Sequence, residues 1–208
     1  GTLSYAWAKL YRKSFLDSNK IEFGDYRYAE DKIYNYFCYI AGARYAFIDK
    51  KIYVYRRNEQ SVSNTYRKDG DKDWMRIAQD LQDKIDSLNY EKKQYSQDEI
   101  ENYESIVAWT IYFAAFFDGK MEYEYSTGKI RTVINLLKRY ASYDLTKKYL
   151  KNPLRYTKKI PALSYKIMLG GFAFLMKCNM YLLLSLGIKL LVDCHIDERL
   201  SDTGRKED

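Results

Sequence analysis

The sequence predicts an α+β fold that is predominantly α-helical. Only two of the 208 residues are proline, and long stretches carry apolar residues at helical spacing, which favours helices. Short apolar segments bounded by turn residues lie in the first third of the chain and predict a few strands. Hydrophobic residues make up 47% of the chain and charged residues 30%, which is typical of folded rather than disordered proteins.

The first third of the chain is predicted to mix short helices with short strands. Apolar side chains at residues 7–15 recur at helical spacing, and residues 30–43 form an amphipathic helix. The first turn of this second helix contains Glu30 and Asp31, where the helix dipole favours carboxylates. Three short segments are predicted to be strands, residues 21–23, 45–48 and 51–55.

The remainder is predicted to be a series of helices that follows a polar linker at residues 64–72. The linker contains Asp69-Gly70-Asp71, which lacks the spacing of a calcium loop and is interpreted as a solvated turn. The predicted helices span residues 74–88, 97–117, 129–140 and 144–150.

Charge is distributed unevenly along this helical part. The formal net charge is +7, and no Asp or Glu lies between Asp144 and Asp193. Seven cations in this span form what we call the basic stretch: Lys147, Lys148, Lys151, Arg155, Lys158, Lys159 and Lys166. A basic stretch can attach to an anionic membrane surface or can form a solvated collar around a packed core. Tyrosines alternate with its lysines, but no nucleic-acid motif is present, so no nucleic-acid partner is expected.

The basic stretch continues into an apolar segment at residues 167–192. Lys177 and Asn179 divide this segment into two runs that are each too short to span a bilayer. We therefore predict a pair of helices that is either buried in the core or lies in the membrane interface.

Cysteine and histidine usage indicates a reducing compartment and no zinc site. The three cysteines, Cys38, Cys178 and Cys194, lie among apolar neighbours, and their odd number favours free thiols. The single histidine, His195, adjoins Cys194 and lacks further ligands. The chain begins with Gly1 and shows no signal peptide, so we expect a segment of a longer protein. The predicted location is cytoplasmic, either free or peripheral on the inner face of the cell membrane.

The Glu30-Asp31 pair is the candidate for catalysis. Sugar transfer with inversion needs one base that accepts a proton from the acceptor hydroxyl as this attacks the anomeric carbon. A carboxylate at a helix N-terminus suits this role, because the helix dipole and the backbone N–H groups stabilise the anion. The alternative is that the two acids only begin a helix, as acidic residues commonly do.

The surrounding motifs resemble the acceptor half of the bacterial family 2, GT-A type glycosyltransferases. That family commonly shows a Trp-x-Lys-Leu-Tyr-Arg segment, an apolar segment ending in Phe, a Glu-Asp pair and a Tyr-x-Tyr-Arg segment followed by Ser. The matching residues here are Trp7, Lys9, Leu10, Tyr11, Arg12, Phe23, Glu30, Asp31, Tyr53, Tyr55, Arg56, Ser61 and Ser63. The resemblance covers about the first third of the chain.

The resemblance implies a role for several residues. Asp31 would be the catalytic base, and Glu30 would orient the acceptor. Arg56 and Ser61 would lie near the mouth of the site, where Arg56 binds a diphosphate or an acidic acceptor, or else forms a surface ion pair. The remaining predicted substrate-binding residues are Lys9 and Trp7; Trp7 would be an acceptor platform, or else a core residue.

The resemblance also implies a division of the chain and a missing part. Residues 1–66 would be the acceptor-side remnant of a GT-A catalytic domain, and residues 67–208 a helical C-terminal domain. The donor-binding half, whose Asp-x-Asp holds a divalent Mg or Mn ion, is not in this chain, and this chain holds no ligands for the ion. The expected function is therefore that of one part of an inverting glycosyltransferase for cell-surface polysaccharide, inactive alone, with a nucleotide-sugar donor and a saccharide or lipid-linked acceptor. The alternative is a non-catalytic helical module that binds a membrane surface or a protein partner.

Overall fold

A computed structural model describes residues 5–27, 29–50, 52–54, 66–90, 95–127 and 129–194. The chain divides into two compact units. The N-terminal unit comprises Gly1–Thr65 and Gln79–Ser96, and the C-terminal unit comprises Tyr66–Ala78 and Gln97–Asp208. The helices are α1 (Lys13–Ser18), α2 (Glu30–Ile40), α3 (Gly70–Tyr90), α4 (Gln97–Tyr125), α5 (Ile130–Ser142), α6 (Asp144–Leu150), α7 (Pro153–Thr157), α8 (Leu163–Lys177) and α9 (Tyr181–Asp193).

The predicted α+β class is wrong, because the described residues form helices and no strand. Residues 21–23, 45–48 and 52–54 have no regular secondary structure. A strand requires a neighbouring strand to complete its hydrogen-bonded ladder, and the described residues supply none. Several apolar side chains in these segments are exposed, including Phe47 at 74% and Val54 at 91%, whereas Ile21 is buried.

The helix predicted at residues 7–15 is also misplaced. Ala8 has a φ of 56°, a left-handed conformation that interrupts a right-handed helix. Regular helix begins only with α1 at Lys13. The apolar spacing of residues 7–12 does not mark a buried helix face, since Ala8 and Leu10 are exposed.

The core of the N-terminal unit is small and centred on α2. Ile21, Tyr34 and Cys38 are buried together. Phe15 and Phe37 are partly buried against them. This confirms the amphipathic helix predicted to begin at Glu30, although it ends at Ile40, three residues earlier than expected.

The core of the C-terminal unit is built around the long helix α4, which packs against α5, α7, α8 and α9. Buried tyrosines contribute polar contacts inside this core. The Tyr112 hydroxyl donates a hydrogen bond to the Tyr149 carbonyl oxygen at 2.9 Å. The Tyr66 hydroxyl donates to Oε2 of Glu122 at 2.7 Å. Each of these hydroxyls thereby satisfies a polar group that would otherwise be buried unpaired.

The Asp69-Gly70-Asp71 sequence is not the solvated turn that we predicted. α3 begins at Gly70, and the Asp71 side chain is only 2% exposed. Its carboxylate accepts hydrogen bonds from Arg139 and from the Tyr143 hydroxyl. Asp71 is thus a buried member of the C-terminal unit, whereas Asp69 remains exposed.

The basic stretch is largely neutralised by acidic residues within the same unit. Lys148 lies 3.6 Å from Glu104, and Lys158 lies 3.0 Å from Glu101. Three more of its cations form ion pairs: Lys147 with Asp144, Arg155 with Glu101, and Lys159 with Asp98. Most of the basic stretch is therefore a collar against the N-terminal half of α4. Among the described residues, none of the helices has the length and apolar content required to cross a bilayer.

Candidate functional site

Asp31 lies in the first turn of α2, as the sequence predicts. The residue before the helix, Ala29, has a left-handed conformation with φ 60° and provides no side-chain cap. The first backbone N–H groups of α2 are therefore left without a capping side chain, at the end where the helix dipole is positive. Asp31 is half-buried and Glu30 is exposed.

Lys9 and Asp31 belong to the same unit and are near enough for their charges to interact. Burial lowers the pKa of the Lys9 ammonium, and the Asp31 carboxylate partly opposes this shift. The hydrogen bond of Lys9 Nζ goes to the Tyr5 carbonyl oxygen. Two predicted site residues from separate segments, both half-buried and of opposite charge, thus influence each other electrostatically.

Two side chains connect the segment that carries Lys9 to the start of α2. The Tyr11 hydroxyl donates a hydrogen bond to Oδ1 of Asn35 at 3.0 Å. Asn35 is fully buried, and its Nδ2 donates to the Asp31 carbonyl oxygen at 2.7 Å. Burial raises the pKa of Tyr11 well above its ordinary value, so its hydroxyl remains a donor at neutral pH. These bonds fix the backbone of Asp31 relative to residues 6–11.

Trp7, two residues before Lys9 in the chain, belongs to a stack of three aromatic rings. Trp7 stacks on Tyr53 with ring centroids 4.5 Å apart, and on Tyr5 with centroids 4.8 Å apart. Tyr5 and Tyr53 are about half exposed, at 48% and 51%, and Trp7 is half-buried. An exposed aromatic stack can bind the apolar face of a sugar ring, because a pyranose presents C–H groups to the ring.

The predicted site residues differ in what the structure says of them. Trp7, Lys9 and Asp31 all belong to the N-terminal unit. Arg56 and Ser61 lie outside the described residues. Sequence reasoning assigned no role to Tyr53 or Asn35, although Tyr53 belongs to the Tyr-x-Tyr-Arg motif and could have been found from it.

A divalent metal is expected only with the donor-binding half, and the described residues do not supply a site for one. Within these residues, no three or more His, Cys, Asp or Glu side chains are grouped so that they could hold a metal ion.

Comparisons with known proteins add no family to this geometry. The chain matches no protein-family model. It also matches no curated protein and no solved structure. Functional inference therefore rests on the residues of the site and on the motif that contains them.

Proposed function

We propose that this chain is the acceptor-side part of an inverting, nucleotide-sugar-dependent glycosyltransferase acting in bacterial cell-surface polysaccharide synthesis. The observation that carries the proposal is the link between the segment of Lys9 and the start of α2, in which Tyr11 binds Asn35 and Asn35 binds the Asp31 carbonyl oxygen. Trp7 of the same segment stacks on Tyr53. The motif takes Trp7, Lys9, Asp31 and Tyr53 from three segments of the sequence, and all four belong to the N-terminal unit. A unit in which Glu30-Asp31 only begins a helix would not require this convergence.

In this proposal Asp31 is the catalytic base. No hydrogen bond from a described residue occupies its carboxylate oxygens, so they are available to an acceptor hydroxyl. Asp31 accepts the hydroxyl proton while the hydroxyl oxygen attacks the anomeric carbon of the donor. The bond from that carbon to the diphosphate oxygen breaks, and the nucleoside diphosphate leaves with the electron pair. Trp7 and Tyr53 hold the acceptor sugar, and the Lys9 ammonium is placed to donate to one of its hydroxyls.

The test is sugar transfer by the full-length gene product. The protein is incubated with a panel of radiolabelled uridine diphosphate sugars and a lipid extract as acceptor, and label is counted in the lipid and polysaccharide fractions. Asp31→Asn removes the base with little change in shape, and we expect transfer to fall by about 10²–10⁴-fold. Asp17→Asn is the matched control, because Asp17 is an exposed acid on α1 whose ion pair with Lys13 is a surface pair.

The transfer assay also distinguishes this function from the competing one, that of a non-catalytic helical module. Near-normal transfer by a folded Asp31→Asn protein would remove Asp31 from catalysis. Absence of transfer by the unmodified protein with every donor of the panel would favour the binding module.

A further inference from the structure

The last two helices of the C-terminal unit are apolar on their exposed side as well as on their buried side. α8 buries Leu169, Phe172 and Met176, and α9 buries Leu184 and Ile188. A helix that is apolar all round is usually enclosed by protein or by lipid. The exposed sides of α8 and α9 therefore call for an explanation beyond core packing.

The exposed side chains form a defined surface, which we call the apolar face. Its members are 45–69% exposed. They are Leu163, Ile167 and Phe174 on α8, and Leu182, Leu183, Leu186 and Leu190 on α9. Gly171 and Gly187 lie between them, and a Cβ atom at either position would meet nothing within 4 Å. An exposed surface of this apolar content marks a site of interaction.

The apolar residues of the two helices lie on one side of the unit. α8 and α9 pack against each other, and both pack against α4. Only residues 178–180 separate the two helices. Since the buried stripes lie on the core, the opposite stripes are directed away from α4 and together form the apolar face.

The charged side chains of residues 145–192 are all positive, since no Asp or Glu lies between Asp144 and Asp193. Asp193 ends α9 and forms an ion pair with Lys189. Within the described part of the chain, Lys151 and Lys166 of the basic stretch, and Lys177, have no carboxylate partner. Lys177 Nζ donates to the Lys151 carbonyl oxygen at 2.8 Å, so these two lysines lie together at the end of α8.

We propose that the apolar face docks onto an anionic lipid bilayer, with α8 and α9 lying in the plane of the interface. Such helices bury their apolar side among the acyl chains while nearby lysines contact anionic headgroups. A lipid bilayer offers acyl chains to the apolar face and anionic headgroups to the lysines, whereas a protein partner would have to supply an apolar groove with an acidic rim. Docking is independent of the proposed transfer reaction, because none of these residues belongs to the N-terminal unit.

Co-sedimentation with vesicles tests the proposal. The 208-residue chain is mixed with vesicles of phosphatidylglycerol and phosphatidylcholine, and separately with pure phosphatidylcholine. We expect binding to the anionic vesicles that is at least about tenfold tighter than to the neutral ones, since each lysine at such a surface contributes about 1 kcal/mol. Cys178 is an exposed thiol in the turn between the two helices and can carry a fluorophore once Cys194→Ser has removed the other exposed thiol. The emission maximum of this fluorophore should shift to shorter wavelength only with the anionic vesicles.

Two pairs of variants separate the apolar and the ionic contributions. Leu186→Gln with Leu190→Gln should weaken binding by about tenfold or more, whereas Leu10→Gln, at a fully exposed leucine of the other unit, should not. Replacement of Lys151, Lys166 and Lys177 by Gln should also weaken it by about tenfold or more. The same change in net charge at the exposed Lys13, Lys50 and Lys72 should have a much smaller effect.

Three results would overturn the proposal. The first is absence of binding by a folded chain to anionic vesicles. The second is binding that the Leu186 and Leu190 changes leave intact, because the interaction would then be electrostatic and would not involve the apolar face. The third is a concentration-dependent dimer, seen by analytical ultracentrifugation and abolished by those same changes, without vesicle binding; the face would then be an interface between two copies of the chain.

Discussion

Arg139 holds the buried carboxylate of Asp71 with two hydrogen bonds, from Nε to Oδ2 at 3.3 Å and from Nη2 to Oδ1 at 3.0 Å. The Asp71 side chain is 2% exposed and that of Arg139 is 47% exposed. The two partners therefore differ in what their loss would leave behind. Removal of the arginine leaves a buried anion, whereas removal of the carboxylate leaves a cation that reaches water.

This asymmetry predicts unequal effects on the free energy of unfolding. We expect Arg139→Met to lower it by about 3 kcal/mol or more, because an uncompensated charge stays buried. Asp71→Asn should lower it by about 1–2 kcal/mol, because hydrogen bonds weaken but the amide is neutral. Asp69→Asn is the control, since its pair with Lys72 is exposed and contributes less than about 1 kcal/mol. Urea unfolding of the three variants measures the order, and equal losses for Arg139→Met and Asp69→Asn would contradict it.

Asp118 predicts a pH dependence of stability. Burial raises the pKa of its carboxyl from 3.8 to about 7, although a hydrogen bond from the Tyr140 hydroxyl at 2.5 Å partly opposes the shift. The folded protein then keeps a proton that the unfolded chain has lost. The stabilisation from Asp118 is complete below pH 3.8 and is lost as the pH rises to about 7, by at most about 4 kcal/mol.

Comparison with Asp118→Asn isolates this effect. Lysines lower the pKa values of the Asp98 and Glu101 carboxylates. The stability that these two carboxylates contribute is therefore lost as the pH falls, which is opposite to the effect of Asp118. The difference in unfolding free energy between the two proteins should change between pH 4 and pH 7 and be flat above that range. A difference that is constant over the whole range would refute the elevated pKa.

Tyr11→Phe tests how the candidate base is positioned. The change removes the hydroxyl that donates to Asn35, which itself binds the Asp31 carbonyl oxygen. We expect a loss of about 1 kcal/mol in unfolding free energy. In the transfer assay that tests the proposed function, kcat should fall more than KM rises, because Asp31 is displaced while acceptor binding is retained. The control is Tyr36→Phe, on the helix α2 that carries Asp31, because the Tyr36 hydroxyl makes no hydrogen bond among the described residues. An equal fall in kcat for Tyr36→Phe would show that Tyr11 does not position Asp31.

Trp7→Ala tests the aromatic stack as a sugar platform. Loss of the ring that Tyr5 and Tyr53 contact should weaken saccharide binding by about tenfold, whereas Trp7→Phe should retain most of it. Calorimetric titration of the chain with a saccharide acceptor found in the transfer assay measures this. Unaltered affinity in Trp7→Ala would make the stack structural.

The local features of this fold can be predicted from the sequence, whereas the features that depend on distant residues cannot. The apolar stripe of α3 was predictable, and Trp74, Ile77, Leu81, Ile85 and Leu88 are all buried, because helical periodicity is a property of neighbouring residues. The strands were wrong because strand identity depends on a partner elsewhere. The burial of Asp71 was not predictable, since Arg139 lies 68 residues away. The same holds for the neutralised basic stretch, whose partners are mostly on α4. Of the site, Asp31 at a helix start could be predicted, whereas its support by Asn35 could not.

Two partly buried tyrosines set a limit to stability at the alkaline end of the pH scale. Burial raises the pKa of Tyr66 and of Tyr143 from 10.0 to about 12, with further upward contributions from the Glu122 and Asp71 carboxylates respectively. An unfolded chain would ionise these phenols near pH 10.0, whereas the folded chain resists. The stability that they confer is therefore intact below pH 10.0 and is lost as the pH rises to about 12. The phenolate absorbance of Tyr66 and Tyr143 should therefore appear together with unfolding, so that these two phenols set an upper limit to the pH at which the fold persists.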